Sequence, residues 1–362
     1  MKLILEDGTE LSGDSFGAHR SVAGEVVFNT SMTGYIETLT DPSYRGQILV
    51  LTYPLIGNYG VPPDREDGAM NRPFESNEIQ VMGLVVQNYV DHHSHHASRR
   101  SLAEWLKSQN IPLLSGIDTR RLTQKLREKG TMRGWTVAGG NVDWEKKNAD
   151  RVDMRKEVFE LVAPKETVTH DGDGPHILLV DAGCKDNICR SLLERGAKVT
   201  RAPYHADIVA LAQDVDGVLL GNGPGDPKDL SELIAKVREL LGTYTKPMMG
   251  VCLGNQILAL AAGGDTGPLK YGHRSVNQPV QDLLTRRCYI TSQNHGYHVL
   301  DESLPDDWEP WFVNLNDGTN EGVRHRSKPF FSVQFHPEAS PGPQDTAYLF
   351  DDYLRLVAAV RS

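Results

Sequence analysis

Cys252 stands between glycines in Lys246-Pro247-Met248-Met249-Gly250-Val251-Cys252-Leu253-Gly254-Asn255-Gln256. An apolar run enters, a Gly-x-Cys-x-Gly core turns, and a Leu/Ala-rich helical pattern leaves. With serine in place of cysteine this is the nucleophile elbow, a strained turn that lifts one side chain above a sheet. Glycines suit it, because side chains there would crowd the turn or hold the helix off the strand. Cys252 would open the helix, where the positive end of the dipole favours the thiolate, the reactive form. The competing reading is a buried structural cysteine, which most free cysteines are.

The partners such a thiol needs lie near the end, in Phe330-Phe331-Ser332-Val333-Gln334-Phe335-His336-Pro337-Glu338. The apolar run predicts a strand, and Pro337 keeps His336 out of a helix interior. In extended chain, residues two apart face the same way, so His336 and Glu338 project together. Glu338 can then fix the imidazole tautomer while the other ring nitrogen meets Cys252. That supplies nucleophile, base and orienting acid. A lone histidine after a strand is more often structural; a His-x-Glu pair beside an elbow is a catalytic constellation.

These groups need a scaffold. His176-Ile177-Leu178-Leu179-Val180 reads as a buried parallel strand, Asn187 to Arg195 as a helix closed by Gly196, and Lys198-Val199-Thr200 as another strand. Strand, helix, strand implies a right-handed crossover and a parallel sheet. Gly217-Val218-Leu219-Leu220 leads into Gly221-Asn222-Gly223-Pro224-Gly225-Asp226-Pro227, a stiff loop whose amides could face a ligand oxygen or form a plain turn. A helix from Leu230 to Leu241 then reaches the elbow. Ligands of open α/β sheets bind beyond the carboxyl ends of the strands, so this loop and Cys252 fall on one rim.

The earlier half reads as strands and turns. Leu3, Leu5 and Leu11 flank an Asp-Gly hairpin signal at Asp7-Gly8. Strands are predicted at residues 25–29 and 47–52, and the polar stretches Thr30–Tyr35 and Leu39–Tyr44 as loops. Ser101–Glu104 is a capping box opening a helix, and a second helix runs from Asp118 to Lys129. Asp91-His92-His93-Ser94-His95-His96 is rich in imidazole, but without ligands at metal-binding spacing it reads as a solvated loop. The pattern loosens from Asn141 to Gly174, so the domains are expected at 1–150 and 175–362 with a linker at 151–174.

The chain has 362 residues and a formal net charge of -10, which argues against nucleic acid or an anionic membrane as the main partner. The cysteine count of 4 makes no disulfide framework, so reduced thiols and a cytoplasmic location are expected. Met1 to Asp7 meets acidic residues too early for a signal-peptide core, and no apolar run approaches membrane-spanning length.

Gly250-Val251-Cys252-Leu253-Gly254-Asn255-Gln256 with His336-Pro337-Glu338 resembles the class I (triad) glutamine amidotransferases. The motifs Asn29–Tyr35, Thr40–Tyr44, Thr52-Tyr53-Pro54, Gly57–Gly60 and Asp118-Thr119-Arg120 resemble the N-terminal domain of the carbamoyl-phosphate synthetase small chain. So do Asn222–Pro227, Gln293–Tyr297 and His336–Pro343, and the likeness covers nearly the whole chain. It implies an α/β fold: an N-terminal mixed β/α domain, then an amidotransferase domain with an open, mostly parallel sheet flanked by helices. It implies that Cys252, His336 and Glu338 hydrolyse L-glutamine through a γ-glutamyl thioester, with the N–H groups of Leu253 and Gly223 as oxyanion hole. Ser43, Gly223, Gly225, Leu253, Gln256, Asn294, Gly296 and Tyr297 would hold glutamine, Ser43 reaching in from the N-terminal domain. The ammonia would pass to a large synthetase chain, which binds ATP, Mg and bicarbonate; no metal or cofactor is expected in this chain.

Departures from the family pattern are Asn255 in place of His, Ala182 in place of an aromatic, Cys184 in place of a small residue, and Ser275 in place of Gly. Other readings are an amidotransferase subunit of a different synthase, which the first ~150 residues argue against, and a non-catalytic scaffold, which the intact triad argues against.

Overall fold

In the computed structural model, which describes residues 1–64, 70 and 72–361, the chain divides into two compact units, Met1–Asp153 and Met154–Ser362. No helix among the described residues is long and apolar enough to cross a membrane.

The first unit is built on a mixed sheet. Val22–Asn29, Gln47–Leu51, Gly83–Val85 and Pro112–Ser115 run parallel, and Met132–Val137, Lys2–Leu5 and Glu10–Ser12 continue the sheet antiparallel. The Asp-Gly signal makes the expected hairpin: Leu3 pairs with Leu11, and Gly8 takes φ +84°. Ser101 and Glu104 form the reciprocal capping box of the helix Leu102–Ser108, whose Trp105 and Leu106 are buried. Asp118 caps Thr119–Lys129, which ends at Gly130.

One expectation here is corrected. Residues 30–34 are irregular as expected, but Tyr35–Thr40 is an α-helix and Pro42–Tyr44 a short 3-10 helix, both buried. The helix has no local side-chain cap. The amides of Gly34 and Tyr35 instead donate to the hydroxyl of Tyr59, at 2.9 and 2.8 Å, and the Tyr35 and Tyr59 rings stack at 3.9 Å. A cap supplied from so far along the chain leaves no local sequence signature.

The second unit holds the parallel strands. Lys198–Pro203, His176–Asp181, Gly217–Leu220, Met248–Val251 and Phe330–Val333 lie side by side in that order, all parallel. The sheet then continues antiparallel through Asn320–His325, Trp308–Asn314, Thr266–Asp282 and Cys288–Val299. The four inner parallel strands, His176–Asp181, Gly217–Leu220, Met248–Val251 and Phe330–Val333, are mostly apolar runs, as burial on both faces requires. The stretch 151–174 is not featureless: Val158–Val162 is a helix burying Val158 and Phe159, and Val168–His170 pairs antiparallel with Lys198–Pro203. Both elements depend on neighbours for stability, which a polar local sequence does not reveal.

At the elbow, Cys252 sits at φ 55°, ψ -103° between the strand Met248–Val251 and the helix Leu253–Ala262. A non-glycine residue held there costs on the order of 1–3 kcal/mol, so the surroundings must enforce it. A Cβ at Gly250 would lie 2.6 Å from the carbonyl oxygen of Gly254, and one at Gly254 would lie 2.7 Å from the backbone carbon of Leu220. The helix can therefore settle on the sheet only with glycine at both positions. We expect Gly254→Ala to lower unfolding free energy by about 1–3 kcal/mol. Urea denaturation checks this: the midpoint should fall with the slope unchanged.

Candidate active site

Four adjacent parallel strands end on the same edge, and each delivers one part of the site. His176–Asp181 leads to Lys185, Gly217–Leu220 to the Gly221–Pro227 loop, Met248–Val251 to Cys252, and Phe330–Val333 to His336 and Glu338. Cys252 and the His336 segment are direct neighbours, since Val251 pairs with Val333 and Cys252 N donates to Val333 O at 2.8 Å.

The strand expected to carry His336 stops at Val333. His336 is anchored by a bridge to Ser292, its N–H donating to Ser292 O at 2.9 Å. A turn follows, closed by Ala339 N onto His336 O at 3.0 Å. His336 and Glu338 thus meet within a turn around Pro337, not by alternation along a strand. The expected contact forms: His336 Nδ1 lies 2.6 Å from Glu338 Oε1. Nε2 is buried without a hydrogen-bond partner among the described residues, and the Cys252 thiol lies close enough to act on the ring.

Both groups are buried, His336 at 2% exposure and Glu338 at 4%. Burial opposes charge on the carboxyl group, but Lys185 and His336 override it and hold Glu338 down at about 2. Burial likewise opposes the imidazolium, and the Glu338 carboxylate and Cys252 push His336 up to about 10. Lys185, itself buried, places Nζ 3.1 Å from Glu338 Oε1 and also donates to Ala339 O. Asn187 Nδ2 donates to Glu338 O. Sequence reading missed these two residues. The available signal was a lysine in the turn between a buried strand and a buried helix, where a charge is kept only if paired.

Leu253 and Gly223, expected as the oxyanion hole, are neighbours: a Cβ on Gly223 would come within 2.7 Å of Leu253 Cδ2. Leu253 N belongs to the first helical turn, where amides have no intrahelical acceptor. Asn222, fully buried, accepts from Lys185 N at 2.8 Å and ties the Gly221–Pro227 loop to the neighbouring turn. Asn294 and Tyr297 are also brought to the elbow. Cys252 Sγ lies 3.7 Å from Asn294 O, and Gln256 Nε2 donates to Tyr297 O at 2.9 Å. Gly296 lies between them on the strand Cys288–Val299. Gly225 takes φ +79°, with Phe159 directly over its Cα. Ser43 belongs to the first unit, in the 3-10 helix Pro42–Tyr44, where its N–H donates to Asp41 Oδ1 at 3.0 Å.

Gln334, unremarked in the sequence, is a hub. Its Oε1 accepts from Asn255 Nδ2 and Gln256 Nε2, each at 3.1 Å, and its Nε2 lies 3.7 Å from Cys252 Sγ. Asn255 Oδ1 accepts from Ser332 at 2.8 Å, so the unusual Asn255 is fully engaged beneath the elbow. Cys184 is buried with its thiol pushed well up by desolvation, which makes it inert. Ser275 stays in the ladder opposite Gln293, accepts from Gln278 at 2.9 Å, and is followed by a register shift. Of the His92–His96 cluster, His92, His95 and His96 are exposed.

Among the described residues, His273, His295 and Glu321 alone could together hold a metal ion. His273 there is flanked by Asp317 at 2.8 Å and Glu321 at 3.4 Å. Burial pulls its pKa down, but these carboxylates raise it above the usual value.

The carbamoyl-phosphate synthase small chain CPSase domain matches residues 3–136, and the class-I glutamine amidotransferase domain matches residues 178–356. The carbamoyl phosphate synthase arginine-specific small chain of Neurospora crassa is 46% identical over 361 residues, covering 99% of this chain and 80% of that one. The chain belongs to the carbamoyl-phosphate synthase small-chain family. The arginine-specific small chain of Phaeosphaeria nodorum is 47% identical over 360 residues, 98% of this chain and 75% of that one. Multifunctional protein pyr1-3 of Dictyostelium discoideum is 46% identical over 371 residues, which cover 97% of this small chain but 17% of that protein. The match at residues 3–136 removes the reading as a subunit of a different synthase. As a glutamine-hydrolysing small chain, the protein carries its amidotransferase domain in the second unit.

The two pKa shifts set a pH signature for stability. Glu338, depressed to about 2, stabilises the fold above the unfolded carboxylate value, roughly 4.3, and loses that contribution as pH falls towards 2. His336, raised to about 10, contributes fully below the unfolded imidazole value, roughly 6.5, and loses it as pH rises through 10. Removing the acid strands buried charge, so Glu338→Gln is expected to cost about 3–5 kcal/mol between roughly pH 4.3 and 6.5. The deficit should narrow on either side of that window. Urea titrations across pH check this, and a deficit independent of pH would contradict it.

Proposed function

We propose that the chain hydrolyses L-glutamine by a Cys252–His336–Glu338 triad and delivers the ammonia to a large synthetase chain. The observation that carries this reading is the Glu338–His336 contact at 2.6 Å, with the strained Cys252 close enough to act on the ring. The thiol proton resides on His336, and the thiolate attacks the side-chain amide carbon. The resulting oxyanion is met by the amides of Leu253 and Gly223, each such donor being worth about 2.7–4 kcal/mol of barrier. His336 gives its proton to the leaving nitrogen, ammonia departs, and a γ-glutamyl thioester remains. A water then gives its proton to His336 as it attacks the thioester, releasing glutamate and restoring the thiolate–imidazolium pair. Throughout, Glu338 fixes the ring and balances its charge.

Glutamine is held in the second unit by Gly223, Gly225, Leu253, Gln256, Asn294, Gly296 and Tyr297. Ammonia released into water would become ammonium, which has no nucleophilic lone pair, so a direct passage to the partner suits the chemistry. There ATP and bicarbonate are used to make carbamoyl phosphate for arginine or pyrimidine synthesis. ATP and Mg belong to the partner chain, and the small chain works with it in the cytoplasm.

The test is the complex with its large chain, assayed with glutamine and with free ammonia. Cys252→Ser should lose glutamine-dependent synthesis by at least about 10⁴-fold while keeping the ammonia-dependent reaction. A glutamine-mimicking alkylator should label Cys252 in the wild type. No label, with or without the large chain, would favour the scaffold reading.

A further inference from the structure

Glu338 is gripped from the far side by a loop that the triad does not include. Lys185 reaches its carboxylate at 3.1 Å, and Asn187 holds its backbone oxygen. Between these residues lies Asp186, whose side chain points the other way. Its Oδ1 accepts from Arg201 Nη1 at 2.7 Å. The same guanidinium donates through Nε to Asp181 Oδ2 and through Nη2 to Cys184 O at 3.0 Å.

Arg201 thus ties down the start, the middle and the end of one turn. Asp181 closes the strand His176–Asp181, Cys184 lies within the turn, and Asp186 opens the helix Asp186–Leu193. The planar fork suits this task, because its donors point in fixed directions to several acceptors at once. Asp181 is shared: its other oxygen accepts from Gly183 N and Cys184 N, both at 2.7 Å. Arg201 itself is set on the neighbouring strand, opposite Leu179, with 18% of its side chain exposed. No residue of this clamp lies in a catalytic motif, and Arg201 touches none of the reacting groups.

We propose that Arg201 is a positioning residue for glutamine hydrolysis: by clamping Asp181, Cys184 and Asp186, it fixes the turn from which Lys185 and Asn187 hold Glu338. This rests on the triad reading above. Its consequence is directional. Loosening the clamp lets Glu338 and the His336 ring drift from the thiol, which slows the chemical step; Gln256, Asn294, Gly296 and Tyr297 come from other elements, and the loop of Gly223 and Gly225 meets the turn through Asn222.

The experiment uses the full chain and measures glutamine hydrolysis for Arg201→Gln, Lys185→Met and the double variant. Arg201→Gln should lower kcat by about 10–100-fold, the effect of small misplacement of reacting groups, with KM changed less than about 2-fold. In the Lys185→Met background the same substitution should add less than its full effect, because one of the two contacts through which it acts is gone. Arg201→Lys, which keeps one ion pair, should recover part of the loss. If Arg201→Gln does not fold, Asp186→Asn and Arg201→Lys, with Lys185→Met, form the same cycle. An unchanged kcat, a rise in KM alone, or a full multiplicative loss in the double variant would overturn the proposal. Cys252→Ser measured alongside separates the two readings: residual hydrolysis at wild-type rate would sink the triad, not the clamp alone.

Discussion

A carboxylate buried beside an ammonium and an imidazolium governs how the second unit is built. Taking such charges out of water costs several kcal/mol each, and only close partners repay it. Glu338 meets Lys185 and His336, while its own backbone oxygen is held by Asn187. Packed apolar groups of similar volume would generally stabilise as much or more. What they could not do is orient an imidazole. The Glu338 contact fixes the direction of the His336 ring, and the surrounding turns keep the charged groups in register.

Those turns come together because parallel strands end together. Adjacent strands of one direction place their carboxyl ends on one edge, and the sheet supplies a rigid base for each loop. Cys252 is lifted from that edge by a backbone conformation that its own side chain disfavours. Gly250 and Gly254 remove the obstacles to close packing, and the hydrogen bond from Cys252 N to Val333 O ties the elbow to the neighbouring strand. Beneath it, Gln334, Asn255 and Ser332 form a buried polar chain with its donors and acceptors matched. Such a network is stiff when satisfied and costly when broken.

Local patterns were legible where local physics decides structure. The Asp-Gly hairpin, the Ser101–Glu104 capping box and the Asp118 cap formed as read, because each is satisfied within a few residues. The helix Tyr35–Thr40 was missed because Tyr59 caps it from elsewhere in the chain. The elements within 151–174 were missed because Phe159 gains its burial beside Gly225, and Val168–His170 gains its ladder from Lys198–Pro203. The extended run was read too far, to Glu338 instead of Val333, since a single bridge to Ser292 rather than a continuous ladder fixes His336.

The sequence by itself determined which groups are present: a thiol flanked by glycines, and an imidazole with a carboxylate two residues on. Residue type and short spacing suffice for that, because both are read along the chain. Tertiary structure alone decided which charges meet Glu338, which amides face the elbow, and how Gln334 and Arg201 join remote segments. Those choices depend on strand order and on loops brought side by side, and sequence distance does not encode proximity across a sheet.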